Sequence, residues 1–286
     1  MIRYLRTLCY DCEQLNDVLY INFKNIKGCA NMLMILSPAK TFKEMKQDDL
    51  RLSDDLLFKV KTKQLIEQLQ SYSSTELATL MKMSESLGEV NEQRFKGFYN
   101  QEMNGMYAIH AFEGEAYKGL DSLTLTHEAL DFSKQSFRIL SGLYGVLRPF
   151  DVMNAYRLEM GLSWSGSHGK DLYQYWKEDL TNYFLTELEQ TTGDQVLLNL
   201  ASKEYSKSIH LKQIEKKYPV ITVEFKEQKG DSFRAVSMYA KRARGQMARY
   251  ILMNQIDEVQ KIKAFNEDGY MFNEDLSTAF TWIFTR

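Results

Sequence analysis

Apolar residues recur along this chain in two spacings, which predict alternating helices and strands. From Lys170 to Gln190 they return at steps of three and four residues, the period of an amphipathic helix, and Asp54 to Gln70 follows the same rule. Short uninterrupted apolar runs predict buried strands at Leu33–Leu36, Val196–Leu200 and Val220–Phe225. These are the ingredients of a sheet covered by helices.

Further segments follow the same two patterns. Ser74 is expected to cap a helix, and Gly193 to end the long one that starts at Lys170. The order of elements does not repeat as βαβ units, so we predict an α+β fold with an irregular mixed β-sheet rather than a doubly wound one. The additional predicted helices are Asn91–Asn100, Thr124–Ser133 and Ala240–Met253, and the additional strands are Arg138–Leu140, Phe233–Tyr239 and Thr281–Phe284.

Composition narrows the class of protein. The chain has 286 residues, 44% of them hydrophobic, and its 36 basic and 38 acidic residues give a net charge of −2. Bulk charge therefore does not drive binding to nucleic acid or to an anionic membrane, and any such binding must use a local patch. No apolar run approaches the length of a membrane span. Since no stretch looks like a linker, we expect a single domain over residues 32–286, and the alternative is two lobes that share a sheet.

The first 31 residues differ from the rest of the chain. They hold all three cysteines, Cys9, Cys12 and Cys29, but no second pair that would make a zinc site. Lys27-Gly28 is encoded as AAR-GGN, which can contain a ribosome-binding sequence a few codons before Met32. We therefore expect residues 1–31 to be a non-native or disordered extension created by a mis-assigned start. The alternative is a genuine strand or hairpin over residues 18–23.

The segment from Phe137 to Met160 carries the densest chemistry. It begins as a short apolar strand and breaks at Ser141-Gly142, where glycine permits backbone geometry that other residues avoid. Many polar groups in so short a stretch indicate a site, although a tight turn with solvated charges is the alternative. Its candidate residues are Tyr144, Arg148, Asp151, Tyr156, Arg157 and Glu159.

Two predicted strands are followed by polar groups that could hold an anion. Ser37 and Lys40 come directly after Leu33–Leu36, and Asn199, Ser202 and Lys203 follow the strand near Val196. Ligands often bind beyond the carboxyl ends of strands. The alternatives are a plain strand exit at Lys40 and a helix cap at Ser202. The buried amide of Asn199 requires partners in either case.

A basic stretch in the predicted helix Ala240–Met253 is the clearest electrostatic feature. Lys241, Arg242, Arg244 and Arg249 fall within nine residues, and no acid lies between Ser232 and Gln255. Guanidinium groups match the geometry of phosphate oxygens, and the small residues Ala243 and Gly245 would permit close approach. The alternative is a solvated helix face.

Other kinds of site find no support in the sequence. It has no nucleophile elbow, phosphate-binding loop or dinucleotide fingerprint, and none of the four histidines forms an HExxH pair. We therefore predict neither a metal site nor a cofactor. Beyond residue 31 there is no cysteine, so peroxide sensing through a thiol is not expected in the body of the protein.

The motifs together resemble the YaaA peroxide-stress family, over nearly the whole body from Met34 to Arg286. They occur along the chain in the same order as in that family, and the first 31 residues have no counterpart in it. The matching motifs are Ile35-Leu-Ser-Pro-Ala-Lys-Thr41, Leu140-Ser-Gly-Leu-Tyr-Gly-Val-Leu-Arg-Pro149, Tyr156-Arg-Leu-Glu-Met160, Asn199-Leu-Ala-Ser-Lys-Glu-Tyr205, Ala240-Lys-Arg-Ala-Arg-Gly245, Gly269-Tyr-Met-Phe272 and Trp282-Ile-Phe284.

The resemblance implies a cytoplasmic bacterial protein that limits hydrogen-peroxide damage and is associated with low free iron. It also implies a family-specific α+β fold and binding of double-stranded or damaged DNA through a basic cleft near a helix-hairpin-helix element, for which Ser84 to Glu89 is the candidate. No membrane partner is expected, and the acids Asp48, Asp49, Asp54 and Asp55 should lie away from DNA. The cleft candidates are Lys40, Arg148, Arg157, Lys203, Lys241, Arg242 and Arg244, with Arg249 added from the basic stretch.

Two functions remain open from the sequence. The first is a non-enzymatic DNA binder that grips phosphates without reading bases. The second is an enzyme acting on a nucleotide or nucleobase, with Asp151 or Glu159 as the base, Tyr156 beside it, and Tyr144 stacked on a ring. In that hypothesis, Arg148 or Arg157 holds phosphate, and Ser37, Asn199 and Ser202 complete the polar cluster. A structural alternative is that Arg157 and Glu159 simply pair across a buried turn.

Overall fold

The structure is a computed structural model that describes residues 32–43, 50–99, 105–166, 169–191 and 194–286. The predicted extension 1–31 and the residues Asp48, Asp49 and Gly193 lie outside this part of the chain. Its strands are β1 Leu33–Leu36, β2 Thr41–Phe42, β3 Met106–Tyr107, β4 Phe112–Glu113, β5 Phe137–Ser141, β6 Gly145–Leu147, β7 Val152–Met153, β8 Leu197–Asn199, β9 Val220–Lys229, β10 Ser232–Arg234, β11 Met271–Asn273 and β12 Thr281–Thr285.

Helices of very different length connect these strands. Short 3₁₀ turns add to them near residues 122, 259 and 267. The α-helices are α1 Lys59–Leu69, α2 Ser74–Leu80, α3 Glu85–Lys96, α4 Ala108–Ala111, α5 Glu115–Leu120, α6 His127–Ser136, α7 Leu172–Gln190, α8 Lys203–Ser206, α9 Leu211–Ile214 and α10 Ser237–Met253.

An eight-stranded mixed sheet forms the centre of the fold. Its strands lie in the order β11-β12-β9-β8-β1-β5-β6, and β10 pairs with β9 outside this row. The antiparallel pairs are β11 with β12, β5 with β6, and β10 with β9, while the other pairs in the sheet are parallel. Every residue of β1 is buried, as its apolar run predicts. The α+β prediction with a mixed sheet is confirmed.

The five parallel strands follow an order that creates a switch point. Across the sheet they lie in the order β5-β1-β8-β9-β12. The first strand in the chain, β1, therefore lies between the second, β5, and the third, β8. After β1 the chain builds one flank of the sheet, and from β8 onward it builds the other. Ligands of such sheets bind beyond the carboxyl ends of the strands where the direction reverses. Here that place is beyond the ends of β1 and β8.

Side-chain caps set the starts of several helices. The side chain of Asp171 caps α7, which buries the stripe of apolar residues that predicted it. The cap of α2 is Ser73 rather than Ser74, because the Ser73 hydroxyl accepts from the Glu76 amide and Glu76 in turn accepts from the Ser73 amide. Ser84 caps α3, so the segment proposed as the hairpin turn, Ser84 to Glu89, is a cap and a first helical turn.

The predicted strand Phe233–Tyr239 is mostly wrong. The strand β10 ends at Arg234, its three residues are exposed, and α10 begins at Ser237. Alternating residues at this sheet edge have little apolar surface to bury, whereas Ala240 starts the face of α10 that packs inward. Tertiary packing of the helix therefore extends it toward the N-terminus beyond the predicted start at Ala240.

The crossing of α5 and α10 depends on two glycines. A Cβ atom on Gly245 would lie 1.7 Å from the carbonyl oxygen of Ala116, and one on Gly119 would lie 2.2 Å from the carbonyl oxygen of Arg242. Each glycine thus lets the backbone of the other helix approach. The expectation that Gly245 makes room for a phosphate is corrected: the room is filled by α5.

Replacement of Gly245 by alanine should destabilise the protein, although alanine is the better helix former by ~1 kcal/mol. Backbone atoms of α5 must move to admit the methyl group, and we expect a net loss of ~2 kcal/mol or more in the free energy of unfolding. Urea unfolding measures this loss. Lys241→Ala, on the exposed side of the same helix, serves as control and should change stability by less than ~0.5 kcal/mol. Unchanged or increased stability of Gly245→Ala would contradict the close crossing.

Candidate functional site

Two serines join the strand ends at the switch point. The Ser37 hydroxyl accepts from the backbone amide of Ser202 at 2.8 Å and lies 3.2 Å from the Ser202 hydroxyl. Ser37 follows β1 and Ser202 follows β8, so these bonds connect the two segments that leave the sheet in opposite directions. The Ser202 hydroxyl makes no capping bond to α8. It belongs instead to this junction.

A carboxylate with two cations lies where the chain leaves β1. The Lys40 ammonium is 2.8 Å from Glu159 Oε1, and an Arg157 terminal nitrogen is 3.3 Å from the same oxygen. Only 14% of the Glu159 side chain and 17% of the Arg157 side chain are exposed, against 64% for Lys40. The predicted structural pairing of Arg157 with Glu159 is therefore present, and Lys40 joins it from the solvent side.

A second carboxylate, Glu224 on β9, organises the other flank. The Lys203 ammonium lies 3.9 Å from Glu224, and the Lys226 ammonium lies 3.7 Å from it. Burial lowers the pKa of the Arg244 guanidinium, and the charge of Glu224 opposes that effect. Arg244 lies on α10, which packs against β9, the strand that carries Glu224.

These groups form what we call the strand-end cluster. They come from five separate stretches of the chain. Side-chain contacts link Ser37 to Ser202, Lys40 and Arg157 to Glu159, and Lys203 to Glu224. Arg244 lies on α10, which packs against the strand of Glu224. Two of its guanidinium groups, Arg157 and Arg244, each have a buried Nε atom without a hydrogen-bond partner within the described chain. The cluster consists of Ser37, Lys40, Arg157, Glu159, Ser202, Lys203, Glu224 and Arg244.

Three buried tyrosines lie near residues of the cluster. The Tyr117 hydroxyl donates to the carbonyl oxygen of Ser37, and the Tyr156 hydroxyl lies 2.6 Å from the Ser141 hydroxyl. Burial raises the pKa of Tyr117, Tyr156 and Tyr205 well above the ordinary value, so each keeps its proton at neutral pH. Tyr156 therefore acts as a hydrogen-bonding support in this state, and not as a ready base.

The amide of Asn199 has its partners inside the fold. Its nitrogen donates to the Thr222 hydroxyl at 3.2 Å, and its oxygen accepts from the Ala201 amide at 3.0 Å. Thr222 stands opposite Asn199 in the pairing of β8 with β9. Asn199 thus shapes the exit of β8 beneath Ser202.

Arg148 and Asp151 form a separate polar structure. The Arg148 Nε and backbone amide both donate to Asp151, each at 2.8 Å, and a terminal nitrogen donates to Asp55 at 2.7 Å. Burial raises the pKa of Asp151, and the hydrogen bonds and charge of Arg148 counteract this. Arg148 is engaged by two carboxylates, and Asp54 and Asp55 lie on its side of the molecule rather than in the strand-end cluster.

Tyr144 is a core residue. Its side chain is 1% exposed, and its hydroxyl both donates to the Asn154 carbonyl oxygen and accepts from the Asn154 amide. The prediction that Tyr144 stacks on a ligand ring is corrected, because the ring is enclosed by its neighbours Phe98 and Tyr156.

The basic residues of α10 point to different places. Lys241 and Arg242 are exposed, and Arg242 lies 3.9 Å from Asp268. Arg249 donates to the carbonyl oxygens of Leu120 and Asp121 at the end of α5. Arg242 and Arg249 line a surface depression of about 290 Å³. The predicted basic stretch is therefore divided, and Arg244 alone of the four is linked to the strand-end cluster.

Glu224, Tyr117 and Tyr205 are not among the site residues that the sequence predicts. A signal for Glu224 does exist, because Thr222 and Glu224 alternate with buried residues along β9. Polar side chains at alternate positions of a strand mark one face of the sheet. Nothing comparable marks Tyr117, which lies on α5 and reaches Ser37 only through the tertiary structure.

Comparison with known proteins identifies the family. A model described as peroxide stress protein YaaA matches residues 32–276. The chain belongs to the YaaA peroxide-stress family. It is 45% identical over 262 residues to a UPF0246 protein of Clostridium perfringens, covering 89% of this chain and all of that protein. It is 42% identical over 257 residues to one of Magnetococcus marinus, covering 89% of this chain and 99% of that protein.

The described residues were also compared with the requirements of a membrane-spanning helix and of a metal site. None of their helices combines the length and apolarity needed to cross a bilayer. Among them, no three His, Cys, Asp or Glu side chains are grouped so that they could hold a metal ion. His168 lies outside the described residues.

Removal of Arg148 should damage the fold rather than the strand-end cluster. Arg148→Ala leaves Asp151 buried without its partner, and we expect a loss of ~3 kcal/mol in the free energy of unfolding at pH 7. The folded-state pKa of Asp151 then rises further above its ordinary value of 3.8, so the destabilisation should shrink as the pH falls toward that value. Unfolding at pH 7 and at low pH measures both effects.

Asp55→Ala is the matched control, because the Asp55 side chain is 75% exposed and its pairing with Arg148 should contribute less than ~1 kcal/mol. Arg148→Ala/Asp151→Asn should recover part of the stability. An Arg148→Ala protein as stable as the parent would disprove the structural assignment and return Arg148 to the ligand-binding candidates.

Proposed function

We propose that this protein limits hydrogen-peroxide damage in the bacterial cytoplasm by binding double-stranded or damaged DNA through phosphate contacts at the strand-end cluster. In this proposal, binding protects DNA from damage driven by peroxide and iron. The peroxide-stress role is that of the family. The DNA contact is supported above all by Arg157 and Arg244, whose buried Nε atoms have no hydrogen-bond partner within the described chain.

Buried donors without partners are costly, so an anionic ligand that supplies acceptors would stabilise this arrangement. Guanidinium groups match phosphate oxygens in geometry and charge. Lys40 and Lys203 add exposed ammonium groups at the rim, with 64% and 88% of their side chains accessible. Such contacts position a protein on DNA without reading the bases, which agrees with a general protective role.

The salt dependence of DNA binding tests the proposal. If the four cations of the cluster each neutralise a phosphate, log K should fall with log salt with a slope of roughly −4. Arg157→Gln/Arg244→Gln should flatten the slope by ~2 and weaken binding to all sequences alike. Fluorescence anisotropy with a labelled duplex across a salt series gives the slope.

Lys63→Gln/Lys96→Gln is the control with the same change in net charge, because both lysines are exposed on α1 and α3. Its slope should equal that of the parent. Lys241→Gln/Arg242→Gln tests the exposed part of α10 separately. A slope that responds to this pair and not to Arg157 and Arg244 would move the DNA surface from the cluster to α10.

The second candidate is an enzyme acting on a nucleotide or nucleobase. It is favoured by Glu159, a largely buried carboxylate placed between Lys40 and Arg157 at a strand end. A carboxylate in such a place can accept or donate a proton to a bound ligand. Among the acid–base candidates from the sequence, Asp151 lies outside the strand-end cluster in its pairing with Arg148, and the Tyr156 hydroxyl is hydrogen-bonded to Ser141 and keeps its proton. Glu159 is therefore the acid–base residue that this hypothesis requires.

Glu159→Gln separates the two functions. The amide keeps the shape of the side chain but removes its charge and its capacity to act as a base. An enzyme should lose peroxide protection in cells while the purified variant keeps its full DNA affinity. A binder should keep both, with affinity unchanged or raised because a negative charge has gone. Glu113→Gln, an exposed carboxylate on β4, is the control. Loss of folding, seen by circular dichroism, would assign Glu159 a structural role.

A further inference from the structure

We infer that the strand-end cluster is a site for a phosphate monoester, the doubly charged group found at a nucleotide or at the end of a DNA strand. The inference deepens the proposed function and rests on it for the use of this cluster as a phosphate site. It goes further in naming the kind of phosphate that the cluster takes.

The charge of the cluster matches such a group. Its four cations are Lys40, Arg157, Lys203 and Arg244, and its two carboxylates are Glu159 and Glu224, which leaves an excess of two positive charges. Glu204, whose Oε1 accepts from the Gly161 amide, and Lys226 lie next to it with opposite charges and do not alter the balance. A phosphodiester within a strand carries one negative charge. A phosphate monoester carries between about 1.5 and 2 negative charges at pH 7.

The burial of the two guanidinium groups also favours a phosphate monoester. The Nε atoms of Arg157 and Arg244 are buried, and the Arg157 side chain is only 17% exposed. A phosphate inside a duplex is flanked by sugars on both sides and presents only two terminal oxygens to these groups. A monoester has one substituent and three terminal oxygens, and it can enter with those oxygens foremost.

The position in the sheet supports the same class of ligand. The cluster lies beyond the ends of β1 and β8, where parallel sheets with this strand order bind nucleotides. Ser37 and Ser202 contribute hydroxyl groups there, 3.2 Å apart. This hydroxyl pair can donate to phosphate oxygens, and the Tyr117 hydroxyl fixes the loop by donating to the Ser37 carbonyl oxygen.

A phosphate monoester could come from two sources: the 5′-phosphate of a DNA end, or a free mononucleotide. The test uses the full chain and two pairs of probes. The first pair is a labelled blunt duplex with and without 5′-phosphates. The second pair is 5′-AMP and adenosine, each measured by calorimetry and as a competitor of the labelled duplex.

We expect the 5′-phosphate to tighten duplex binding by about tenfold, the size of one charge-assisted hydrogen bond. Arg157→Gln/Arg244→Gln should abolish this ratio, and Lys241→Gln/Arg242→Gln should leave it unchanged. Lys40→Gln/Lys203→Gln, which changes exposed side chains only, replaces the first variant if that one does not fold, and it should reduce the ratio.

The outcomes separate this inference from the proposed function. Salt-dependent duplex binding with equal affinity for both ends would retain the DNA function and overturn the monoester site. Binding of 5′-AMP but not adenosine, without binding of either duplex, would support the monoester site with a nucleotide as its source and overturn the DNA function. A preference for the phosphorylated end that survives Arg157→Gln/Arg244→Gln would overturn the assignment to this cluster.

Discussion

The parallel pairing of β1 with two neighbours is the constraint on which the rest of the molecule depends. β5 lies on one side of β1 and β8 on the other, although about 60 residues separate those two neighbours in the chain. A strand so enclosed must be apolar throughout, and the four residues of β1 are all buried. Because the sheet grows outward from β1 in both directions, its end is also where the direction of the chain reverses.

That reversal explains why charged groups from distant segments meet at one place. Lys40 leaves β1, Lys203 begins the helix after β8, Glu224 stands on β9, and Arg244 comes from the helix packed against the sheet. None is near another in sequence. Their common location follows from the carboxyl ends of parallel strands lying at one edge. The junction between Ser37 and Ser202 then holds the two exits at hydrogen-bond distance.

Arginine has two distinct uses in this fold. Arg148 and Arg249 have their donors taken by carboxylates or backbone carbonyls, so they stabilise the chain. Arg157 and Arg244 keep a buried Nε without an acceptor in the described chain. The distinction matters because a buried charge requires compensation, from the protein or from a ligand. The sequence predicts that all four of these arginines bind phosphate. In the structure two of them stabilise the fold, and the other two keep a buried donor that a ligand could use.

Much of the local structure could be predicted from the chain alone. The apolar runs determine β1, β8 and the start of β9, and the stripe of α7 determines its length, because burial of apolar side chains imposes their period. Ser37, Lys40, Ser202 and Lys203 were identifiable as site candidates because each follows such a strand. The α+β class follows from the same patterns.

Long-range contacts decided the features that could not be predicted from the sequence. The sequence could not tell that Gly245 serves the crossing with α5, that Tyr144 is enclosed by aromatic rings, or that Asp151 occupies Arg148. Nor could it reveal Glu224 as the partner of Lys203. The physical reason is that spacing along a chain fixes which residues share a face of one element. Which faces meet depends on the free energy of packing whole elements together, and that free energy is settled only in the folded molecule.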